Sequence, residues 1–317
     1  MTARIIVALC LAISSSVAVA QSYPVRPVRL LVPNPPGGAT DNLARVIAPK
    51  LTELLGQSVV VDNRPGSNGN IAAEIAVRAT PDGHTLFLAA DGQIVISPHV
   101  YRKLPYDTLK DLTPVASLVS TQLLLAVHPS LPVKNPKEFV DYARNARPPL
   151  VYASIGNGSQ HHLAMELLKS RTGVNLVHVP YKGGGPALVA LFAGEVSVMF
   201  GGSSAAPFVR AGKLRALALA GRRNAAYPDL PALSEFFPGV EVNPWLGLFA
   251  PASLPAPVLE RVRAEARRVL TDPDTAGRIR KIALDPYVTT PKEFSALIRA
   301  DYAKFGEVVK SAGVKID

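Results

Sequence analysis

Two stretches of the chain show the same order of predicted elements, and this repetition restricts the fold more than any other feature. In each, an apolar strand runs through a Gly-rich turn into a helix, and a second strand, turn, helix and strand follow. The strands and turns are, in the first copy, 28–32, 33–39, 59–61, 63–69 and 85–89, and in the second, 150–153, 154–159, 176–179, 181–185 and 196–200. Short strands alternating with helices predict parallel strands with right-handed crossovers. Two copies therefore predict two α/β domains.

The C-terminal part adds a strand at 247–250 and three helices, at 257–270, after Asp272 and at 291–312. These helices need a sheet to cover, and in two-domain α/β binding proteins the chain usually crosses between the domains more than once. We therefore expect crossings near 120–125 and 243–247. The expected organisation is a first domain of 21–122 plus 247–317 and a second domain of 123–246.

The first twenty residues have the order of a secretory signal. Arg4 is their only charge, an apolar run covers 5–13, and small residues lead to Ala-Val-Ala at 18–20. The run is too short to span a bilayer, which disfavours the alternative of a membrane anchor. Cys10 lies within the run, so a lipoprotein is disfavoured too. We expect cleavage after Ala20, a periplasmic product, and a mature chain without cysteine, disulfide or thiolate metal site.

Charge gives only a weak indication of the partner. The formal net charge of +10 falls to +9 when Arg4 is removed. The basic residues are scattered, and the densest group lies at helical spacing with acidic neighbours, as on a solvated helix face (Glu260, Arg261, Arg263, Glu265, Arg267 and Arg268). Nucleic-acid binding needs a concentrated basic stripe, so it is not expected. A mild bias toward anionic solutes remains.

The Gly-rich turns that precede helices are candidate anion sites. In open α/β sheets ligands bind beyond the carboxyl ends of the strands, where helix N-termini present free N–H groups. Gly37 and Gly38 precede the first helix, and Asn157, Gly158 and Ser159 precede its counterpart. Thr40 or Asp41 is expected to cap the first helix. One such turn alone is explained by the need to reverse the chain. Two matched turns that face each other across a cleft predict that both bind the same anion, one from each side.

Rival sites find little support. Neither Gly-x-Gly-x-x-Gly nor a phosphate loop occurs at these turns, and residues 201–205 (GGSSA) miss the hydrolase elbow by one glycine. His161 and His162 are adjacent, so on a helix they point about 100° apart and do not form a metal pair. For His162 we expect a capping or ligand hydrogen bond. No metal or cofactor is expected.

Three further residues have two interpretations each. Asp91 follows the third strand, where a carboxylate would favour a ligand amine or stabilise its own turn. Trp245, the only tryptophan, packs in the core or lines the mouth of the cleft. Tyr181 either packs against other side chains or donates a hydrogen bond from its hydroxyl.

Motifs along the whole mature chain then match one family. They are YPVRPVR at 23–29, VP at 32–33 with PGG at 36–38 and Asp41, VDNRPG at 61–66 with GNI at 69–71, PDG at 81–83, ASIGNGS at 153–159 with HLA at 162–164, VPYKGGGPA at 179–187 and WLGLFAP at 245–251. In these motifs the chain closely resembles the Bug family of extracytoplasmic solute receptors, the binding components of tripartite tricarboxylate transporters.

This resemblance implies a type II periplasmic-binding-protein fold, with two α/β domains around a Venus-flytrap cleft. Related receptors hold a carboxylate of a di- or tricarboxylate, amino acid or aromatic acid, largely through main-chain groups and ordered waters. The ligand-binding residues expected here are Gly37, Gly38, Ala39, Thr40, Asp41, Asp91, Ser154, Asn157, Gly158, Ser159, His162, Tyr181, Gly183, Gly202 and Ser203. The family often has an aromatic residue in place of Asn34, and acidic residues near 197 and after Phe200. This chain has small, neutral residues at those last two places. The identity of the ligand's distal half is therefore not predicted.

The expected function is capture of a small carboxylate by a monomer that closes on it and docks a membrane permease. No covalent chemistry is expected. One alternative is a sensor receptor that passes its ligand to a signalling partner such as a sensor kinase. The other is an α/β hydrolase or transferase, which would require a nucleophile and a base within hydrogen-bond reach.

Overall fold

A computed structural model describes residues 23–202, 205–224 and 226–316. The expected signal segment and its cleavage site at Ala20 lie outside these residues. The strands are β1 (Val28–Val32), β2 (Val59–Asn63), β3 (Thr85–Ala90), β4 (Leu112–Ser120), β5 (Leu124–Val127), β6 (Leu150–Ser154), β7 (Leu176–Pro180), β8 (Val198–Gly201), β9 (Arg215–Leu219), β10 (Trp245–Pro251) and β11 (Asp285–Pro286). The helices are α1 (Ala39–Leu55), α2 (Asn70–Val77), α3 (Ser97–Val100), α4 (Pro136–Asn145), α5 (Gln160–Thr172), α6 (Gly184–Phe192), α7 (Ala206–Arg210), α8 (Ala256–Thr271), α9 (Pro273–Lys281) and α10 (Pro291–Ala312).

The strands form two sheets built around the same three-stranded unit. The first sheet has the order β11-β4-β10-β3-β1-β2 and the second β7-β6-β8-β5-β9. In the first, β1 pairs in parallel with β2 and β3, and in the second, β6 pairs in parallel with β7 and β8. The repeated α/β unit predicted from the sequence is thus confirmed. Both sheets are mixed, because β10 pairs antiparallel with β3 and β5 pairs antiparallel with β8.

The chain passes between the sheets twice. It leaves the first sheet after Ser120 and joins the second at Leu124, and it returns from Leu219 to the first sheet at Trp245. There β10 lies between β3 and β4 and is buried along its length. The helices α8 and α10 then pack against β4, so the C-terminal part covers the first sheet.

Glycines and apolar spacing explain the two helices that follow the central strands. Leu43, Ile47 and Leu51 of α1 recur at helical spacing and are buried, as expected for one face of an amphipathic helix. α1 ends at Gly56 and α5 at Gly173, with φ of 71° and 69°. Glycine adopts this left-handed conformation without the strain that a Cβ introduces. Each helix therefore has a fixed end, and its N-terminus lies at the carboxyl end of a strand.

The two sheets share one continuous apolar cluster. Helix α5 packs against α10, and the cluster includes Val100 and Phe305 from the first sheet's side together with Leu163 from α5. Trp245 is 1% exposed; its indole N–H donates to Asp301 Oδ2 over 2.9 Å, and its ring packs against Phe294. Of the two interpretations of Trp245, the structure therefore favours core packing. No helix among the described residues has the length and apolarity needed to cross a membrane.

Candidate functional site

The turn between β1 and α1 exposes the start of the helix without a side-chain cap. Gly38 is the N-cap residue, and no side chain accepts a hydrogen bond there. The expectation that Thr40 or Asp41 caps α1 is therefore wrong. Both lie inside the first turn, where the hydroxyl of Thr40 donates to Asn34 Oδ1 over 2.5 Å and the carboxylate of Asp41 turns back to accept from Gly37 N over 2.9 Å.

Asp41 is buried and held by three donors. Arg45 Nε and the N–H of Gly37 donate to Oδ2, and Asn63 Nδ2 donates to Oδ1, each over 2.9 Å. Burial alone would raise the pKa of Asp41, but the hydrogen bonds from Arg45, Gly37 and Asn63 and the charge of Arg45 lower it below the ordinary value. The side chain is thus an ionised part of the turn, and Arg45 balances its charge.

Three main-chain donors remain at the start of α1. The first hydrogen bond from the helix to its cap runs from Asn42 N to Gly38 O. Within the described part of the chain, no group accepts from the N–H of Ala39, Thr40 or Asp41. Three parallel N–H groups at the positive end of a helix form an anion-binding arrangement.

The turn between β6 and α5 is built differently. Ser159 caps α5 by accepting from His162 N over 3.3 Å, and the ring of His162 accepts from Gly158 N over 3.1 Å. Gly158 has φ of 68°, a left-handed conformation that glycine adopts without strain. For the N–H groups of Asn157, Gln160 and His161, the structure offers no acceptor among the residues it describes.

Contacts between the sheets bring these turns to one edge. The side-chain amide of Asn68, in the second Gly-rich turn, donates to Asn157 O over 2.8 Å. Gln93 supports it by donating to Asn68 O over 2.6 Å. A Cβ on Gly158 would lie 2.7 Å from Val100, so the second turn also packs closely on the first sheet's side. Since β1, β2 and β3 end at this same edge, the starts of α1 and α5 lie on the two sides of one region between the sheets.

Asp91 lies in that region but is already engaged by the protein. Its carboxylate is 1% exposed and accepts from Gly92 N over 2.8 Å. With its amide nitrogen directed at Asp91, Gln160 of α5 donates to both carboxylate oxygens, over 2.9 and 3.0 Å. Burial raises the pKa of Asp91 well above its ordinary value, and the neighbouring Asp301 adds to this effect. A contact between Asp91 and a ligand stays a prediction, and it would compete with Gln160.

Behind the second turn lies a stack of three rings. The rings of His162 and His178 are 3.9 Å apart at 11°, and Tyr152 stacks on His178 at 4.7 Å. Ser154 Oγ lies 2.7 Å from His178 Nε2 and 3.0 Å from Gly156 O. The distance matches a nucleophile and a base, but Ser154 is completely buried. Its hydroxyl therefore helps to fix the turn and is shielded from solvent.

The remaining predicted residues lie around the same edge. Tyr181 N donates to Ser154 O over 3.0 Å, which ties the turn after β7 to the end of β6. Gly183 precedes α6 with φ of 106° and no side-chain cap. Gly202 follows β8, where an added Cβ would lie 3.5 Å from the Nε2 atom of His161. Ser203 lies outside the described residues.

Sequence reasoning missed several polar side chains at this edge. Asn34 and Asn63 brace the first turn, Asn68 and Gln160 reach across to the other sheet, and His161 lies beside Gly202. Asn63 and Asn68 open and close the second Gly-rich turn, so their position at a strand end was a usable signal. His161 gave none, because two adjacent histidines on a helix point in different directions and do not have the spacing of a recognisable site. The described residues contain no group of three or more His, Cys, Asp or Glu placed to hold a metal ion.

Comparison with known proteins agrees with this architecture. The model of the tripartite tricarboxylate transporter family receptor, TctC, matches residues 43–314. A solved R. palustris structure with adipate superposes with a TM-score of 0.84 and 34% identity over 92% of this chain and 99% of that one. The periplasmic binding protein BugD superposes with a TM-score of 0.81 and 30% identity, over 92% of this chain and 99% of BugD. MatC from Rhodopseudomonas palustris with bound malate superposes with a TM-score of 0.80 and 34% identity, over 90% of this chain and 100% of MatC.

These matches extend over nearly the whole chain and agree with the two-sheet architecture, which is the type II periplasmic-binding-protein fold expected from the motifs. Proteins of this family are periplasmic solute receptors. The chain belongs to the tripartite tricarboxylate transporter receptor family, and its resemblance to the Bug receptors is confirmed.

Proposed function

We propose that this protein is a periplasmic receptor that binds one small carboxylate between the starts of α1 and α5. The observation that carries the proposal is the set of unpaired N–H groups at the two helix starts: Ala39, Thr40 and Asp41 on one side and Asn157, Gln160 and His161 on the other. Such groups bind a carboxylate at a helix N-terminus without a cationic side chain. Adipate and malate in two neighbouring structures support this ligand class.

We also propose that the two sheets belong to domains that move as a Venus flytrap, with 21–122 plus 247–317 on one side and 123–246 on the other. The bonds from Asn68 to Asn157 and from Gln160 to Asp91 exist only while the turns are together. A ligand that bridges the turns favours the closed state by the contacts it makes there and not in the open one. The crossings after Ser120 and before Trp245 are the segments about which the domains would rotate.

Cleavage after Ala20 would release the chain into the periplasm, where the closed monomer would dock a permease of the tripartite tricarboxylate type. Proteins of the family support this partner. A sensor receptor would use the same closure, so the two roles differ in the membrane protein that is bound. Crosslinking in the native host, with and without ligand, distinguishes a permease from a sensor kinase.

Binding is tested with a thermal-shift panel followed by calorimetry on the purified receptor. The panel contains adipate, malate, citrate, glutamate and benzoate, with glucose and AMP as uncharged and nucleotide controls. A ligand that binds only the folded state raises the melting temperature, and a concentration of a hundred times Kd adds about 2.7 kcal/mol. We expect a carboxylate to stabilise the protein. Stabilisation by glucose or AMP alone would contradict the proposal.

A hydrolase is the alternative that the distance between Ser154 and His178 raises. It is tested with p-nitrophenyl esters, for which we expect no turnover above that of Ser154→Ala. Turnover that disappears in this variant would contradict a pure receptor.

A further inference from the structure

His161, the second residue of α5, is buried without a hydrogen-bond partner. Its exposed fraction is 7%, and none of the described residues bonds to its buried Nδ1 atom. The ring is directed toward the end of β8, where its Nε2 atom would lie 3.5 Å from a Cβ placed on Gly202. Because Gly202 has no side chain, the space in front of Nε2 is not filled from that position. The ring therefore lies at the carboxyl edge of the second sheet, which is the ligand edge of an open α/β sheet.

The imidazole of His161 is neutral in this environment. Burial lowers its pKa to about 4, and among the described residues no charged group contributes to the shift. The positive end of α5 acts in the same direction, since a helix N-terminus disfavours a cation. A neutral imidazole carries one N–H donor and one lone pair.

The position of the proton follows from what each nitrogen contacts. A buried N–H without a partner is rarer in proteins than a buried acceptor without one. Nδ1 is enclosed and unpartnered, so the tautomer with the proton on Nε2 is favoured. The donor then points toward Gly202. Together with the main-chain N–H groups of Gln160 and His161, it makes three donors near the start of α5 for which no described residue provides an acceptor.

We propose that His161 is a specificity-determining residue whose Nε2–H binds an oxygen of the ligand's second polar group. A solute with a second carboxylate then binds more tightly than a monocarboxylate of the same chain length. This inference rests on the proposed function, because it assumes that the two turns hold the first carboxylate. It assigns one oxygen of the ligand's second polar group to a position beside His161 Nε2, at the end of β8.

The test compares adipate with hexanoate, which has the same carbon chain and one carboxylate fewer. In His161→Leu the affinity for adipate falls by roughly ten- to a hundredfold, the range for a hydrogen bond to a charged group. The affinity for hexanoate falls by less than about threefold. In His161→Gln the side-chain amide replaces the Nε2 donor and retains most of the adipate affinity. Equal losses for both probes, or no loss in the leucine variant, overturn the proposal.

Two ligand-free measurements test His161 separately. Since no described residue bonds to the buried Nδ1 atom, His161→Leu leaves the melting temperature unchanged or raises it, and a clear decrease contradicts the absence of a partner. Imidazole ¹⁵N shifts, assigned by comparison with His161→Gln, report the tautomer, and a proton on Nδ1 contradicts the inference. Failure of the wild-type protein to bind any carboxylate contradicts the proposed function instead, so the two failures are distinguishable.

Discussion

Asn68 and Asn157, which belong to different sheets, are joined by a side-chain to main-chain hydrogen bond of 2.8 Å. Asn68 has a left-handed backbone, with φ of 54° and ψ of 27°, in the turn that leads into α2. Gln93, next to the end of β3, donates to the carbonyl of Asn68 and holds that turn in place. The bond therefore connects the edge of one sheet to the turn that starts α5.

Replacing Asn68 tests the contribution of this link to ligand binding. Asn68→Gly removes the side chain and keeps the left-handed backbone. We expect adipate to bind about threefold to tenfold more weakly, which corresponds to the net free energy of one hydrogen bond. Calorimetry measures the affinity, and small-angle scattering measures whether the ligand-free protein becomes more extended.

Ser67→Gly is the matched control for Asn68. Ser67 is also left-handed, with φ of 47°, and its exposed side chain makes no bond to the other sheet among the described residues. The Ser67→Gly variant should therefore bind adipate as tightly as the wild type does. Equal weakening in both variants would assign the effect to the turn and not to the link.

Gly38 is the residue of the first turn that tolerates a side chain least. A Cβ there would lie 2.9 Å from the Cβ of Asn34 and 3.3 Å from the carbonyl oxygen of Pro35. Gly38→Val must therefore displace the turn and with it the free N–H groups of α1. We expect adipate affinity to fall at least a hundredfold, or about 2.8 kcal/mol, as measured by calorimetry.

Gly173→Ala separates this effect from a general loss of stability. Gly173 ends α5 with φ of 69° and has open space around it, so alanine costs roughly 1 kcal/mol of strain without a clash. It should lower the melting temperature and leave the affinity unchanged. Normal binding by Gly38→Val would remove the first turn from the site.

The raised pKa of Asp91 predicts that the stability of the folded protein decreases as the pH rises. Burial and Asp301 raise its pKa in the folded state, while the N–H groups of Gly92 and Trp245 and the charge of Lys304 act in the opposite direction. A carboxyl with a raised folded pKa stabilises the fold below its unfolded pKa, and this stability is lost as the pH rises through the folded value. Asp91→Asn should therefore raise the melting temperature at pH above neutral and flatten its dependence on pH.

Asp141→Asn is the control for Asp91. Asp141 is half-exposed, and its ion pairs with Lys137 and Arg144 lower its pKa, so the same change should give a slight loss of stability and no gain at high pH. If Asp91→Asn is instead less stable than the wild type across the whole pH range, the folded protein requires the ionised carboxylate, for example to accept the hydrogen bonds of Gln160.

The stacked imidazoles predict the opposite dependence. Burial, followed by the charge of His162, lowers the pKa of His178 from 6.5 to about 4, and burial also lowers that of His162. Between about pH 4 and pH 6.5, the imidazole of His178 takes up a proton in the unfolded chain but not in the folded one. Stability is thus fully present above about pH 6.5 and decreases toward pH 4, by about 1.4 kcal/mol per pH unit for each proton of difference.

His178→Gln tests this dependence by removing one titrating ring. The variant loses the stack and is less stable at neutral pH, but its stability should fall less steeply on acidification, as measured by urea unfolding at several pH values. His128→Gln, outside the stack, serves as the reference. An unchanged slope in His178→Gln would contradict the assignment.

The sequence predicted those parts of the fold and site that depend on local patterns. Gly37 and Gly38 lie between an apolar strand and a helix with 3.6-residue spacing, and the same order occurs at Gly158, so the positions of both turns followed from periodicity and glycine placement. A strand at 247–250 was also expected, but the antiparallel pairing of β10 and of β5 was not, because their partners are set by where the chain crosses between the sheets. Contacts such as that of Asn68 with Asn157 depend on how two separate units meet, and no local pattern encodes them. The cap of α1 was misjudged because Asp41 has a closer donor in Gly37 and a charge partner in Arg45.

The packing of α5 against α10 restricts how the two sheets could separate in the proposed opening. Separating these helices would expose Leu163 and Phe305 to water, and the free energy lost grows with the apolar area uncovered. The proposed opening would therefore keep these helices in contact while the turns at Asn68 and Asn157 separate. Substitutions at Leu163 or Phe305 should then change how readily the proposed domains open, although neither side chain belongs to the proposed ligand site.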